Sequence, residues 1–284
     1  MDRPSPLRMQ GGHTLSWAVI YTCYEMIRDC RAGRPEGWSY FLTNYVPAIR
    51  KFLAHYFPER AADGALIGRV LAALRQPESS LFQSLDPAPE RTFAAELRQR
   101  ALSAVEADRA SAPPEVTIDI DALGAALEPL TFTEKLAVWF ETMRYGDPDT
   151  GRMLRMSPQT AETIRARGAE LIRSSVDAWR STLLADNGPL LGQAANALST
   201  KECLPAKAFF DVIDGRATWR GREEMERHAK GCWHCLDHYC RLLEVVDVLR
   251  GSMPLPETEA AGYKRLLGIE TPKRSFWKRD STSI

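Results

Sequence analysis

Residues 228–235 of the chain read HAKGCWHC, and 24 residues separate Cys203 from the start of this run. His228 and Cys232 are four positions apart, so their side chains face the same way at the end of a helix. The two-residue gap between Cys232 and Cys235 lets two thiolates converge on one ion where the chain turns into the next helix. The segment therefore predicts a metal centre in a helical frame, with three ligands close together in sequence.

A tetrahedral ion needs a fourth donor, and we expect Cys203, in the preceding helix, to supply it. His238 and Cys240, in the following helix, are the alternative fourth ligands. With Cys203 the set is Cys3His, a closed, structural type of site, and the predicted cofactor is Zn2+. The predicted metal ligands are Cys203, His228, Cys232 and Cys235.

The helices that flank the run also suit thiolate ligands. We expect Gly231 to adopt a left-handed conformation that ends the first helix. The positive N-terminus of the second helix favours the thiolate forms of Cys232 and Cys235.

The charge balance excludes a global electrostatic attraction to nucleic acid. Lys+Arg and Asp+Glu both number 37, so the formal net charge is zero, and any DNA contact requires a local basic face. Residues 151–180 hold six arginines and three acidic residues. The same composition is also typical of an ordinary solvated helix surface.

The sequence shows no sign of export or of membrane insertion. Residues 1–12 are polar and contain proline, unlike a signal peptide. No apolar run reaches the length of about 18 residues that a membrane-spanning helix needs. We therefore expect a cytoplasmic protein without membrane association, in which the six cysteines stay reduced. Clustered Cys and His then favour metal binding over disulfides.

Apolar residues at helical spacing, with little strand signal, predict an all-α chain. The predicted helices span 13–33, 37–57, 62–75, 90–108, 121–127, 133–144, 148–155 and 157–184. Pro47 lies inside the second of them and predicts a break or kink after Val46.

Two proline-containing stretches divide the chain. The first, 109–120, contains Ala-Ser-Ala-Pro-Pro, which cannot propagate a helix, and the second, 187–199, opens with Asn-Gly-Pro. We interpret both as linkers. The predicted units are helical domains over 1–108 and 121–186, a small three-helix metal-binding module over 200–251 and a C-terminal tail over 252–284.

The C-x24-H-x3-C-x2-C pattern in a three-helix frame resembles the zinc-binding anti-sigma domain of bacteria, over about residues 200–250. The resemblance implies a module that wraps a sigma factor of the extracytoplasmic-function class and masks its surfaces. In some members of that family a zinc-ligand Cys pair oxidises and the metal leaves. Cys203, Cys232 and Cys235 are the positions in this chain that match.

Residues 130–176 resemble sigma region 4, the part of a sigma factor that reads the −35 promoter element. A helix-turn-helix would have its positioning helix at 149–155 and its recognition helix at 158–169. A plain helical hairpin is the alternative interpretation. The DNA-binding residues that the resemblance implies are Arg155, Ser157, Gln159, Thr160, Thr163, Arg165 and Arg167.

Residues 37–108 resemble sigma region 2, with 37–57 matching its opening helix and 91–105 its closing helix. In that family the second helix carries an acidic, glutamine-containing stretch that grips the polymerase clamp. The matching stretch here, 62–74, reads ADGALIGRVLAAL, with Asp63 as its only acid.

The order of these units resembles an extracytoplasmic-function, sigma-70 family sigma factor fused to a zinc-binding anti-sigma-like domain. The implied partners are core RNA polymerase and promoter DNA, and the implied control is an intramolecular sigma/anti-sigma contact. Tethering raises the local concentration of such a module to the millimolar range, so even weak clamping acts in cis.

The acid-poor stretch at 62–74 favours a second hypothesis: a degenerate sigma-derived adaptor or anti-sigma protein that works by protein–protein binding without initiating transcription. An enzyme is not expected, because the sequence has no Ser/His/Asp arrangement and no phosphate-cradling glycine loop. Four protein ligands would also leave zinc without the open position that catalysis needs. The oligomeric state is left open.

Overall fold

The computed structural model describes residues 21–60, 64–76, 81–83, 90–106, 119–175, 184 and 188–269. All regular elements in these ranges are helical, which confirms the predicted all-α class. The described α-helices are α1 (Cys23–Arg31), α2 (Pro35–Tyr56), α3 (Gly64–Arg75), α4 (Glu90–Glu106), α5 (Ile120–Ala126), α6 (Phe132–Thr142), α7 (Asp147–Leu154), α8 (Pro158–Ser175), α9 (Gly188–Ala197), α10 (Ala206–Ile213), α11 (Trp219–Gly231), α12 (Trp233–Arg250) and α13 (Glu257–Leu266).

Most of the predicted helices agree with these bounds to within a few residues. Parts of four predicted helices lie outside the described residues: 13–20, 62–63, 107–108 and 176–183. Most of the first predicted linker, its residues 109–118, lies outside them as well.

Of the break or kink predicted at Pro47, the break is absent, because α2 runs without interruption from Pro35 to Tyr56. Pro47 has no N–H, so it leaves the carbonyl of Thr43, four residues earlier, without its helical donor. The backbone N–H of Leu255 donates to that carbonyl at 2.8 Å. A donor from a distant part of the chain thus supplies the bond that proline removes, and the helix continues.

The first hydrophobic core lies among α1–α4. Aromatic rings dominate it: Phe41 contacts Phe82 at 5.4 Å and Phe93 at 6.2 Å between ring centroids, both edge to face. The segment of residues 252–269, called the C-terminal segment below, also contributes buried residues to this core. The start of the predicted tail therefore packs on the first domain, whereas 270–284 lie outside the described residues.

The second core joins the second domain to the predicted metal-binding module. Trp139 of α6 is buried with its ring centroid 4.9 Å from that of Trp233 in α12. Its indole N–H donates to Asp237 Oδ1 at 3.1 Å. Phe209 of α10 and Cys240 of α12 complete the same core, so the two units share one hydrophobic interior.

The second predicted linker, 187–199, is largely the helix α9. Leu191 and Ala195 are four residues apart, which puts them on one face of this helix, and both are buried in the second core. Gly188 and Pro189 are the first two residues of this helix, where proline is tolerated, so they do not prevent it. The described helices include none that is both long enough and apolar enough to cross a membrane.

Candidate metal centre and the interfaces of its module

The side chains of Cys203, His228, Cys232 and Cys235 meet in one cluster, with their ligand atoms all within 4.8 Å of one another. Cys203 Sγ lies 3.9 Å from Cys232 Sγ, and His228 Nε2 lies 3.2 Å from Cys235 Sγ. Zn–S bonds of about 2.3 Å separate the sulfur atoms of a tetrahedral site by about 3.8 Å. The cluster can therefore hold a metal ion such as zinc.

Three members of the cluster come from the junction of α11 and α12. His228 lies in the last turn of α11, and Cys235 lies in the first turn of α12. Cys232 is the residue between the two helices and has an extended backbone, with φ −126° and ψ 108°. The expected left-handed conformation of Gly231 is wrong, because Gly231 is the last residue of α11 and the extended Cys232 makes the turn.

Cys203 lies in the turn that precedes α10, not in a helix as predicted. The backbone N–H of Thr200 donates to Cys203 Sγ at 3.3 Å, and the Thr200 hydroxyl oxygen is 3.7 Å from the same sulfur. The backbone bond and then the hydroxyl lower the pKa of Cys203. A turn with inward-pointing N–H groups therefore stabilises the thiolate that metal binding requires.

Cys235 is fully buried, and burial raises its pKa to about 12. The backbone N–H of Leu204 donates to Cys235 Sγ at 3.4 Å and opposes this shift. A buried thiolate is costly unless a cation balances its charge. The donor set thus fits a cation better than it fits four protonated side chains.

The alternative fourth ligands lie elsewhere. Cys240 is fully buried in the second core. His238 packs against Phe209, with ring centroids 5.5 Å apart, and burial lowers its pKa. Among the described residues, the cluster has Cys203 as its fourth member.

Helices α7 and α8 are joined by a short turn, as a helix-turn-helix requires. Arg155 ends α7 in a left-handed conformation, with φ 58°. The N–H of Met156 donates to the Gly151 carbonyl at 2.8 Å, and a Cβ on Gly151 would lie 2.8 Å from the Met156 oxygen. Only glycine fits this close approach. Ser157 Oγ then accepts from the N–H of Thr160 at 3.0 Å and caps α8.

The predicted DNA-binding side chains lie along the turn and the first half of α8. Six of them are exposed: Arg155, Ser157, Gln159, Thr160, Thr163 and Arg167. Arg165 is half-buried and makes two 2.8 Å hydrogen bonds to Asp147, which tie α8 to the start of α7. Arg167 pairs with Glu134 at 2.8 Å.

A buried polar network that sequence reasoning missed connects the module to both helical domains. Glu244 of α12 is fully buried and pairs with Arg98 of α4 at 2.5 Å. The hydroxyl of Tyr145, just before α7, donates to Glu244 at 2.7 Å. Arg98 also donates to the Tyr56 hydroxyl at 2.5 Å. The one available sequence signal was a glutamate within the apolar run 242–249.

Other contacts also hold the two helical domains and the module together. The two rings of His55 in α2 and Tyr145 stack with centroids 3.9 Å apart. Arg152 of α7 makes a bidentate pair with Asp247 of α12, at 2.9 and 2.8 Å. Helix α12 thus contacts both α2 and α4 of the first domain and both α6 and α7 of the second.

Comparison of the chain with protein-family models, with curated proteins and with solved structures finds no match in any of the three.

Proposed function

We propose that the chain is a sigma factor-like transcription regulator whose zinc-binding module holds its two helical domains in a closed arrangement. The main support is the fully buried Glu244, which α12 presents to Arg98 of one domain and to Tyr145 of the other. A module that shares a hydrophobic core with one domain and a buried ion pair with the other is suited to restrain both.

Zn2+ is the proposed cofactor, with Cys203, His228, Cys232 and Cys235 as its ligands. Three sulfur atoms and one imidazole nitrogen are the donors that zinc prefers in closed structural sites. The ion would fix the junction between α11 and α12 and so the direction in which α12 leaves it. Four protein ligands leave no open coordination position, so the site is structural or regulatory rather than catalytic.

Promoter DNA is the proposed ligand of the α7–α8 pair. The short turn, the Ser157 cap and the exposed Arg155, Gln159 and Thr163 support this. Such a protein would act in the cytoplasm. Arg152 of α7 is paired with both Asp247 of α12 and Asp149 of its own helix, so release of α12 would remove one of its two acidic partners beside the proposed DNA-binding surface.

The second candidate is a sigma-derived adaptor or anti-sigma protein that acts by protein–protein binding. Helix α3, Gly64–Arg75, is the element that matches the polymerase-gripping helix, and it contains no acidic residue. That composition favours the adaptor.

The test is binding of core RNA polymerase and of promoter DNA to the full chain, with zinc and after its removal by a chelator. The E244Q variant, which keeps the side-chain shape but removes its charge, is tested in parallel. Regulation in cis predicts tighter polymerase binding by the zinc-free chain and by E244Q, by about tenfold if the restraint amounts to 1.4 kcal/mol. No polymerase binding by any form, together with binding to another sigma factor, would select the adaptor.

A further inference from the structure

After α12 the chain turns back across the first domain, where the C-terminal segment lies on α2 and reaches α3. It is extended at first and helical from Glu257 onward. A Cβ on Gly68 of α3 would lie 2.6 Å from Leu266, which shows how closely α13 approaches α3. The buried apolar residues that the segment adds to the first core are Leu255, Ala260, Leu267 and Ile269.

The docking of the segment is centred on the carbonyl that Pro47 leaves unpaired. Leu255 donates its N–H to Thr43 at 2.8 Å, and its own neighbours are Pro254 and Pro256. Prolines have no N–H and hold the residues before them extended. In this Pro-Leu-Pro sequence, Leu255 therefore carries the single backbone donor, and the Thr43 carbonyl is the acceptor that Pro47 leaves for it within α2.

Basic side chains of the first domain hold the helical part of the segment. Arg50 of α2 donates to the Tyr263 hydroxyl at 2.7 Å and also pairs with Glu259. Arg75, at the end of α3, donates to the carbonyl of Leu267. These contacts lie around the apolar patch and set the direction in which α13 crosses α2.

We propose that the face of α2 around Pro47, with the adjoining part of α3, is a docking surface that the C-terminal segment occupies in cis as a removable cover. Under the proposed function α3 is the helix that meets core polymerase, so the cover and polymerase compete for this surface. The competition with polymerase rests on the proposed function.

Two features make the cover removable. Helix α13 has 10 residues, too few for a stable helix in isolation, so its folding is coupled to its docking. The six residues 251–256 separate it from the end of α12. A displacement of α12 would therefore be transmitted through these residues to Leu255, whose N–H bonds to the Thr43 carbonyl.

The role of Pro47 is tested by hydrogen–deuterium exchange of the full chain carrying P47A. Alanine restores a helical N–H that bonds to Thr43 and competes with Leu255, so the amides of the C-terminal segment should exchange faster, by about tenfold for one hydrogen bond. P35A is the matched control, because Pro35 occupies the start of the same helix, where no helical bond is lost. Equal protection of residues 252–269 in P47A and P35A would overturn the docking assignment.

The role as a cover is tested with A260E, which places a carboxylate in the buried interface, and with T258E, which makes the same charge change at an exposed position of α13. We expect A260E, and not T258E, to expose α13 to exchange and to raise the affinity of the full chain for core RNA polymerase by at least about tenfold. Equal, measurable affinity in A260E and T258E would overturn the cover and leave the proposed function standing. Absence of polymerase binding in both, with α13 open in A260E, would overturn both proposals.

Discussion

Helices α12 and α13 follow one another in the chain and both lie against α2, but different chemistry holds them there. Helix α12 is part of the second core, and its contact with the first domain includes a charged pair from which water is excluded. Helix α13 and its flanking residues add apolar side chains to the edge of the first core, and its charged contact there, between Arg50 and Glu259, is more than one-third exposed. A buried pair makes separation costly, whereas exposed pairs and backbone bonds exchange readily with water. We therefore expect α12 to be the stable frame and α13 to be the part that moves first.

The largest expected effect comes from the Cys3His cluster at the start of α12. C235S should abolish stoichiometric zinc binding and lower the free energy of unfolding by more than about 5 kcal/mol, because binding of a structural ion is coupled to folding. Zinc content and denaturant unfolding measure this. H234A, a change within the same run at a residue outside the cluster, should retain zinc. If C235S and H234A hold zinc equally well, the ligand set is wrong.

The next effect concerns the charged pair beneath α12. E244A removes the carboxylate that balances the buried charge of Arg98, which keeps only its hydrogen bond to the Tyr56 hydroxyl. The free energy of unfolding should therefore fall by about 3–5 kcal/mol. The double variant R98M/E244L replaces the pair with apolar groups of similar size and should recover most of this loss. Urea unfolding of the two variants distinguishes a buried pair from an exposed one, for which E244A would cost about 1 kcal/mol or less.

A smaller effect is expected at α13. R50M removes the partner of Glu259 and Tyr263 at a position about one-third exposed, so it should cost about 1 kcal/mol or less. The loss should appear as faster hydrogen exchange in residues 252–269, with α12 unchanged. If hydrogen exchange accelerated equally in α12 and α13, the two helices would open as one unit. Helix α12 would then not be more stable than α13, contrary to our expectation.

The smallest effect is a pH dependence confined to α13. The hydrogen bond from Arg50 lowers the pKa of Glu259 below its usual 4.5. A carboxylate with a lowered folded pKa adds stability that is complete above the unfolded value and is lost as pH falls through the folded value. Docking of α13 should therefore weaken below about pH 4.5, and E259Q should remove this dependence. Exchange of the α13 amides measured across this range in both forms provides the test, which an unchanged acid response in E259Q would contradict.

Local patterns predicted much of this architecture from the sequence. Helical spacing located most of the helices, and the spacing of His228, Cys232 and Cys235 brought three members of the metal cluster together, because all three lie within eight residues. The short turn between α7 and α8 follows from a capping serine and a proline at the first helical position.

What the sequence could not predict depends on partners that are distant in the chain. The break expected at Pro47 is absent because Leu255, more than 200 residues later, supplies the missing donor. The linker expected over 187–199 is largely helical because Leu191 and Ala195 pack into the second core. Glu244 looked like an interruption of an apolar run, since nothing in the local pattern indicates that Arg98 meets it inside the molecule.

The geometry of α12 has a mechanical consequence. Its 18 residues form a rod about 27 Å long, and Glu244 follows Cys235 by nine residues, or about 13.5 Å along the axis. Nine residues are two and a half turns, so the two side chains point to opposite sides of the rod. An ion bound to Cys235 would set the angle through which the rod is turned, and this angle decides whether Glu244 faces Arg98. An ion in this cluster would thus control whether the ion pair between Glu244 and Arg98 forms, although the ion does not contact either residue.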